Sequence, residues 1–470
     1  MELIELVFFG RRAQSKWFMT DAASEIVGKR TLKEWIVRLV RNDIVHNSAA
    51  LGAVQITRKF IPLATLPYLA LVLGPTQWGM VAFVGSLGEF IVLVIEFGFG
   101  LSATREIAQN RHLPQKCGGV MAGVLGAQFL LATATVSVAL FAARFIPLLR
   151  DNPYLLWAGL LYGVCQGINP LWFFQGLERL RLVASIEITG KVLGMVCVFL
   201  FVRSPANGWM VLVFQALPPL LSACIGLTLA FRHFPFTMPT VSLVKEALNS
   251  GWKLFVFKSG ETLYVAGNAF ILGLFAPAAS VGYFAIAEKI SRAIFGLLNP
   301  VREALYPRIS RLAAIAAEDA ARLARIGATV MISSGLAMGI GIYVTAPLLV
   351  RLMTAGKPEF LPAITVLRIL SPLPLLLSIT YSVGLQWLLP FGQDAVVNRI
   401  ILTAGAMNVL IALLVAPTYQ HIGMAVSVLI AELYVCVSMV MAVVARVPFW
   451  KGQGFPSVPL PVPPEGTYDV

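Results

Sequence analysis

The residues of this chain able to do chemistry are charges set inside apolar runs. WKLFVFKSGETLYVAGNAFILGLF (252–275) would enter lipid readily, yet it carries Lys258 and Glu261 three residues apart. Eight basic residues lie in such runs: Arg58, Lys59, Lys191, Lys253, Lys258, Lys289, Arg292 and Arg368. Six acids join them: Glu89, Glu96, Glu187, Glu261, Glu288 and Glu432. Each costs roughly 2.5–3.5 kcal/mol at the centre of a membrane helix, so they must meet one another or a wet cavity. Glu187 and Lys191 are four residues apart, as are Glu288 and Arg292, so each pair shares a helix face. For Glu187–Lys191 a structural ion pair is the plainer expectation. Arg58, Lys59, Lys258, Glu261, Glu288 and Arg292 are expected to line a cavity, while Lys253, Glu96 and Arg368 are expected to snorkel at the interfaces. Glu432 has no evident partner. Basic residues outnumber acids in this set, which suits an anionic ligand, since Arg and Lys hold phosphate well. The acids would then be charge partners or carriers of a coupling proton or sodium ion.

The elements that position these charges are membrane helices. The chain has 470 residues, 58% hydrophobic and 13% charged, with a mean hydropathy of +0.81. A soluble domain holds about 25% charged residues. Apolar runs of about 20 residues match a bilayer core about 30 Å thick, and they lack the alternation of a membrane β-barrel. The fold expected is all-α, with twelve spans near 48–73, 79–100, 117–141, 154–174, 183–202, 209–231, 251–275, 282–300, 326–350, 361–389, 400–416 and 422–445. No cleavable signal peptide is read at MELIELVFFG. The five cysteines stand singly and read as small core residues.

A net charge of +13 raises the question of nucleic acid. The distribution answers it. Of the 36 Lys and Arg, 23 fall in the two termini and the connections after even-numbered spans, five in the opposite connections and eight inside spans. The positive-inside rule places both termini in the cytoplasm and reads the excess as topology; no nucleic-acid partner is expected. Before the first span, TLKEWIVRLVRNDIV (31–45) gathers Leu32, Trp35, Ile36, Leu39 and Val40 on one face, as an interfacial amphipathic helix does; a helix that continues the first span is the alternative. The tail after Val447 is proline-rich.

Asn47 opens NSAALGAVQITRKFIPLATLPYLALVLGP and Asn249 opens NSGWKLFVFKSGETLYVAGNAFILGLFAP. Both reach a proline 28 residues on, at Pro75 and Pro277, an offset of 202. Six spans then repeat in the same orientation, which implies two six-helix lobes about a pseudo-two-fold axis along the membrane normal, with the substrate site between them. The division expected is an N-terminal arm (1–46), an N-lobe (47–231), a linker (232–248), a C-lobe (249–446) and a tail (447–470). Pro62, Pro67, Pro170, Pro300, Pro372 and Pro374 would bend helices at membrane depth. SEIVGKRT (24–31) lacks the first glycine and the hydroxyl residue of a phosphate-binding loop, and His46, His112, His233 and His421 fit no metal spacing. No cofactor is expected.

Four stretches make the chain resemble the Wzx-type polysaccharide biosynthesis flippases of the multidrug/oligosaccharidyl-lipid/polysaccharide exporter superfamily. They are NSAALGAVQITRKFIPLATLPYLALVLGPTQWG (47–79), IEFGFGLSATREIAQNR (95–111), NPLWFFQGLER (169–179) and VGYFAIAEKISRAIFGLLNPVREALYPRISRL (281–312). The resemblance covers about residues 35–445. It implies transport rather than enzymatic catalysis: an oligosaccharide on undecaprenyl diphosphate is moved from the cytoplasmic to the periplasmic leaflet of the inner membrane, in the synthesis of O-antigen, capsule or exopolysaccharide. Alternating access coupled to H+ or Na+ is implied, as are membrane lipids around the protein and polymerase and chain-length proteins as partners. On that footing Arg58, Lys59, Lys258 and Arg292 are the candidate diphosphate contacts, and Glu261, Glu89 and Glu288 the candidate coupling or charge-partner residues. Trp172, Phe173 and Phe174 read either as an aromatic belt or as a gate. A multidrug and toxin extrusion antiporter shares the architecture, but its cation cargo calls for an acidic cavity. A peptidoglycan-precursor flippase would carry extra spans, and a polysaccharide polymerase or ligase a large external loop.

Overall fold

The computed structural model describes residues 43–446 except 179, 236 and 316; the side chains of residues 43–60, 62, 180–182, 233, 261, 314–317, 385, 391 and 446 lie outside that description. The helix expected at 31–45 falls outside it apart from its last three residues, and the proline-rich tail falls outside it altogether. The described residues contain no β-strand. From Ala50 onward the described residues form one compact unit.

The helices longer than one turn follow in order. They are α1 (Asp43–Glu96), α2 (Phe99–Asn110), α3 (Pro114–Ala143), α4 (Pro153–Gly167), α5 (Leu171–Gly176), α6 (Leu180–Phe201), α7 (Trp209–His233), α8 (Val241–Val265), α9 (Gly267–Phe275), α10 (Ala278–Phe295), α11 (Asn299–Ile315), α12 (Ala317–Met353), α13 (Pro362–Ile369), α14 (Leu373–Val383) and α15 (Asp394–Arg446). Among the described residues six helices are long and apolar enough to cross a membrane, and a seventh if the bent pair Pro358–Ile369 and Leu373–Leu388 is one span. Two helices, α1 and α15, run to 54 and 53 residues. At 1.5 Å per residue each is more than 70 Å, roughly twice a bilayer core. Both contain a non-helical residue, Gly74 (φ 66°) in α1 and Gln420 (φ 48°) in α15. At Gln420 the chain doubles back: the Ser427 hydroxyl donates to the Asn408 carbonyl at 3.0 Å, whereas 19 residues of straight helix would part them by about 28 Å. At Gly74 the combination φ 66°, ψ 176° is one that essentially only glycine adopts. A Cβ on Gly208 would meet both Leu73 and Val81 at 3.5 Å, two side chains that a straight helix would hold about 12 Å apart. Two expected pairs of spans are therefore hairpins, 48–73 with 79–100 and 400–416 with 422–445.

Other boundaries moved for local reasons. Span 4 ends early, at Gly167, because Pro170 cannot continue the ladder. Asn169 then bridges the gap, accepting from the Leu171 backbone N–H at 3.2 Å and donating to Glu187 at 2.8 Å. Span 7 begins inside the expected linker: Thr240 caps α8 by accepting from the Leu243 N–H at 3.4 Å. The reading of WFFQG as an aromatic belt is corrected. Trp172, Phe173 and Phe174 are 4%, 1% and 5% exposed and pack with Phe99, Ile107 and Cys117 in a cluster of their own. Thr104 anchors this turn by donating to the Trp172 carbonyl at 3.0 Å.

The second arm of α1 runs along α8, α9 and α10 and forms a seam. At one end a Cβ on Gly79 would collide with the Ala278 carbonyl, and one on Gly282 with the Pro75 carbonyl. The 202-residue offset maps Pro75 onto Pro277 and Gly79 onto Val281, so this contact is close to reciprocal, as equivalent positions about a two-fold axis would make it. In the middle, Phe83 stacks on Phe270 at 5.0 Å and the Ser86 hydroxyl donates to the Ala266 carbonyl. At the other end Phe97 stacks on Phe255 at 4.5 Å, and Gly98 and Gly251 admit backbone-to-backbone approach.

Candidate functional site

A cavity of about 530 Å³ opens beside this seam. Leu63 and Leu66 of α1, Lys289 and Arg292 of α10, Arg302 of α11 and Tyr381 of α14 contribute to its wall. The sequence puts these side chains there through helix period and one proline. Glu288 and Arg292 lie a turn apart on α10 and both reach the cavity. Between α10 and α11 the chain tightens into a 3-10 turn, Gly296–Leu298, and Pro300 lacks the N–H that would continue the α-helical ladder. Gly296 and Pro300 both line the cavity.

Three cations share this wall, two of them resting on aromatic rings and one on a carboxylate. The Lys289 ammonium lies 4.5 Å from the Trp78 ring centroid. The Arg302 guanidinium lies 4.2 Å over the Tyr381 ring, which stacks in turn on Phe295 at 5.5 Å. Arg292 Nε donates to Glu288 Oε1 at 3.1 Å, with the two side chains 26% and 13% exposed. Cation–π contacts give about 0.5–2 kcal/mol, less than charge-assisted bonds to a phosphate. Lys289 and Arg302 can therefore be recruited by an anion without breaking anything strong, while Arg292 stays bonded to Glu288 through Nε.

Behind Glu288 lies a ladder of neutral amides. Asn268 of α9 donates to Glu288 Oε1 at 3.1 Å, Asn408 of α15 donates to Asn268 Oδ1 at 2.8 Å, and the Ser427 hydroxyl donates to Asn408 Oδ1 at 3.0 Å. Asn268, Asn408 and Ser427 are fully buried. Buried polar groups hold position well when each is satisfied.

The expected site residues distribute as follows. Arg292 and Glu288 line the cavity, as read from the sequence. Arg58 and Lys59 lie on α1, five and four residues before Leu63, and Glu261 lies on α8; their side chains are outside the described residues. Lys258 does not line the cavity. Its ammonium lies 2.5 Å from Glu96 Oε1, in a pair 28% and 31% exposed, at the Phe97–Phe255 end of the seam. Glu96 is thus a partner of Lys258 across 162 residues. Glu89 accepts from the Tyr162 hydroxyl at 2.5 Å, away from the cavity wall. Glu187 is 2% exposed and held by Asn169, with Lys191 one turn on. Glu432 is 1% exposed and its Oε2 has no hydrogen-bond partner. Lys289 and Arg302 also line the cavity, which the sequence does not lead one to expect. Lys289 was counted inside a span without being assigned, and Arg302 was counted in the connection after span 8, since nothing in the sequence says that the helix past Pro300 turns a side chain back to the cavity. No group of three or more potential metal ligands occurs among the described residues.

The family described as polysaccharide biosynthesis protein matches residues 44–313. A protein of Escherichia coli (strain K12) named for O-antigen transport is 28% identical over 406 residues, 86% of this chain and 96% of its own length. Among solved structures, the lipid II flippase MurJ in an inward closed conformation superposes with a TM-score of 0.67 at 11% identity, covering 85% of this chain and 87% of that one. An inward-facing multidrug resistance transporter of the MATE family reaches 0.57 at 14% identity, covering 84% and 98%. The fold is that of all-α multi-span membrane transporters. The chain belongs to the polysaccharide biosynthesis protein family.

Proposed function

We propose that this chain flips a polyprenyl-diphosphate-linked oligosaccharide, with undecaprenyl diphosphate as the carrier, from the cytoplasmic to the periplasmic leaflet of a bacterial inner membrane. The cargo is the repeat unit of an O-antigen, capsule or exopolysaccharide. The observation that carries this reading is the cavity wall that gathers Lys289, Arg292 and Arg302, a set suited to the adjacent phosphates of a diphosphate. The apolar remainder of the wall, with Leu63, Leu66 and Leu377, suits the lipid end. Arg58 and Lys59 of α1 are further candidate diphosphate contacts. Lys258 acts one step away, holding the seam closed through Glu96. Glu89 and Glu261 are the candidates for a coupling proton or sodium ion. Both termini face the cytoplasm, and polymerase and chain-length proteins receive the product. A cationic wall disfavours the cation cargo of an extrusion antiporter.

Deletion of the gene in its native host tests this reading. Mass spectrometry of the lipid-linked oligosaccharides should find the polyprenyl-diphosphate repeat unit accumulated on the cytoplasmic face, with the surface polymer lost. Intact polymer, no accumulation and new sensitivity to cationic drugs would replace this reading with the extrusion antiporter.

A further inference from the structure

A carboxylate in a cavity meant for an anion works against binding, and Glu288 is held there by more than its salt bridge. A structural pair with Arg292 needs only the one-turn spacing on α10. Here Glu288 Oε1 accepts from both Arg292 Nε and Asn268 Nδ2, and Asn268 is fixed from behind by Asn408 and Ser427. The buried ladder ties the carboxylate's position to three helices. Because Glu288 engages Nε, the terminal pair of Arg292 nitrogens is left to face a ligand with the geometry that two phosphate oxygens need.

We propose that Glu288 is a specificity residue: it sets the cavity to accept a diphosphate esterified at both ends and to disfavour the same diphosphate with a free terminal phosphate. This rests on the reading of the cargo as diphosphate-linked. The chemistry is a difference of one charge. A diphosphate joined to a lipid at one end and a sugar at the other carries two negative charges. The naked carrier, which has lost its sugar, gains a further ionisation at its terminal phosphate, with a pKa of about 6. The three cations attract both molecules, and the more charged one more strongly. Fixed at the cavity wall, Glu288 repels each added charge on the ligand, so it counters that bias. A flippase lacking this correction would be occupied by the carrier that has nothing to deliver.

The test is direct binding to the purified full-length protein in detergent, by calorimetric titration at neutral pH, with two probes of equal lipid length: farnesyl diphosphate and farnesyl diphosphate carrying one galactose on its terminal phosphate. In the unaltered protein the sugar-bearing probe should bind at least as tightly as the naked one. In Glu288→Gln the preference should move toward the naked probe by about tenfold, the effect of one unit charge several ångströms away at an effective dielectric between protein surface and water. Glu288→Asp, which restores the charge, should return the ratio close to its original value. A ratio unchanged in Glu288→Gln, with both probes still bound, would make Glu288 only the structural partner of Arg292 and overturn the proposal. So would an unaltered protein that prefers the naked probe tenfold or more, a result that needs no variant to fold. If the unaltered protein bound neither probe, the diphosphate reading itself would fail, a different outcome from either of these.

Discussion

Arg292→Ala is expected to abolish export of the surface polymer while the protein still reaches the membrane at normal abundance. Two effects add in the same direction. Hydrogen bonds from a charged donor contribute about 1.5–3 kcal/mol each, so loss of the guanidinium weakens diphosphate binding by roughly ten- to a hundredfold per bond. The change also leaves Glu288, still held by Asn268 at 3.1 Å, as an unbalanced negative charge facing the ligand. Arg292→Lys keeps the charge and loses the planar fork, so it should retain partial export. Polymer on the cell surface and protein in the membrane fraction are the two quantities to measure. Full export with Arg292→Ala would remove this residue from the cargo site.

The second large effect belongs to Lys258 and Glu96. Lys258→Glu sets two carboxylates against each other where the ammonium now lies 2.5 Å from Glu96. Removing a partner from a buried pair costs about 3–5 kcal/mol, and an exposed pair contributes about 1 kcal/mol or less. This half-buried pair falls between those limits, enough to part the seam at the Phe97–Phe255 end. Transport should be lost in Lys258→Glu and in Glu96→Lys, and largely recovered in the double exchange, because a latch needs opposite charges and not a particular order. Cargo binding measured in detergent should be little changed in all three, since neither side chain lines the cavity. A double exchange as inactive as the single changes, with cargo binding lost, would place Lys258 back among the ligands.

The parts of this fold legible in the sequence are those set by composition and local period. The apolar runs, the hairpin at Gly74, the break at Pro170 and the shared face of Glu288 and Arg292 all follow from a few neighbouring residues. The 202-residue repeat was legible too, and the contact of Pro75 and Gly79 with Ala278 and Gly282 joins its equivalent ends. What stayed hidden depends on contacts between distant segments. Lys258 has Glu261 three residues away and Glu96 162 residues away, and spacing alone favours the near one. Arg302 lies just past a proline, in what reads as a basic connection. Asn268, Asn408 and Ser427 carry no charge, so the pattern of charges does not mark them. Their signal was present all the same: an amide inside an apolar run needs a hydrogen-bond partner as surely as an ion needs a counter-ion. The aromatic run at Trp172 misled because a Trp at the end of a span reads as an interface anchor, whereas Thr104 and the α2 packing bury it.

The most direct measurement is leaflet transfer in sealed proteoliposomes that contain only this protein. A fluorescent polyprenyl diphosphate bearing a short saccharide is placed in one leaflet, and its arrival in the other is followed by an impermeant quencher, with an imposed proton or sodium gradient. The cationic-cavity account predicts protein-dependent transfer that is lost in Arg292→Ala and competed by the unlabelled lipid-linked saccharide. No transfer by the unaltered protein under either gradient, with uptake of organic cations in the same vesicles, would contradict it.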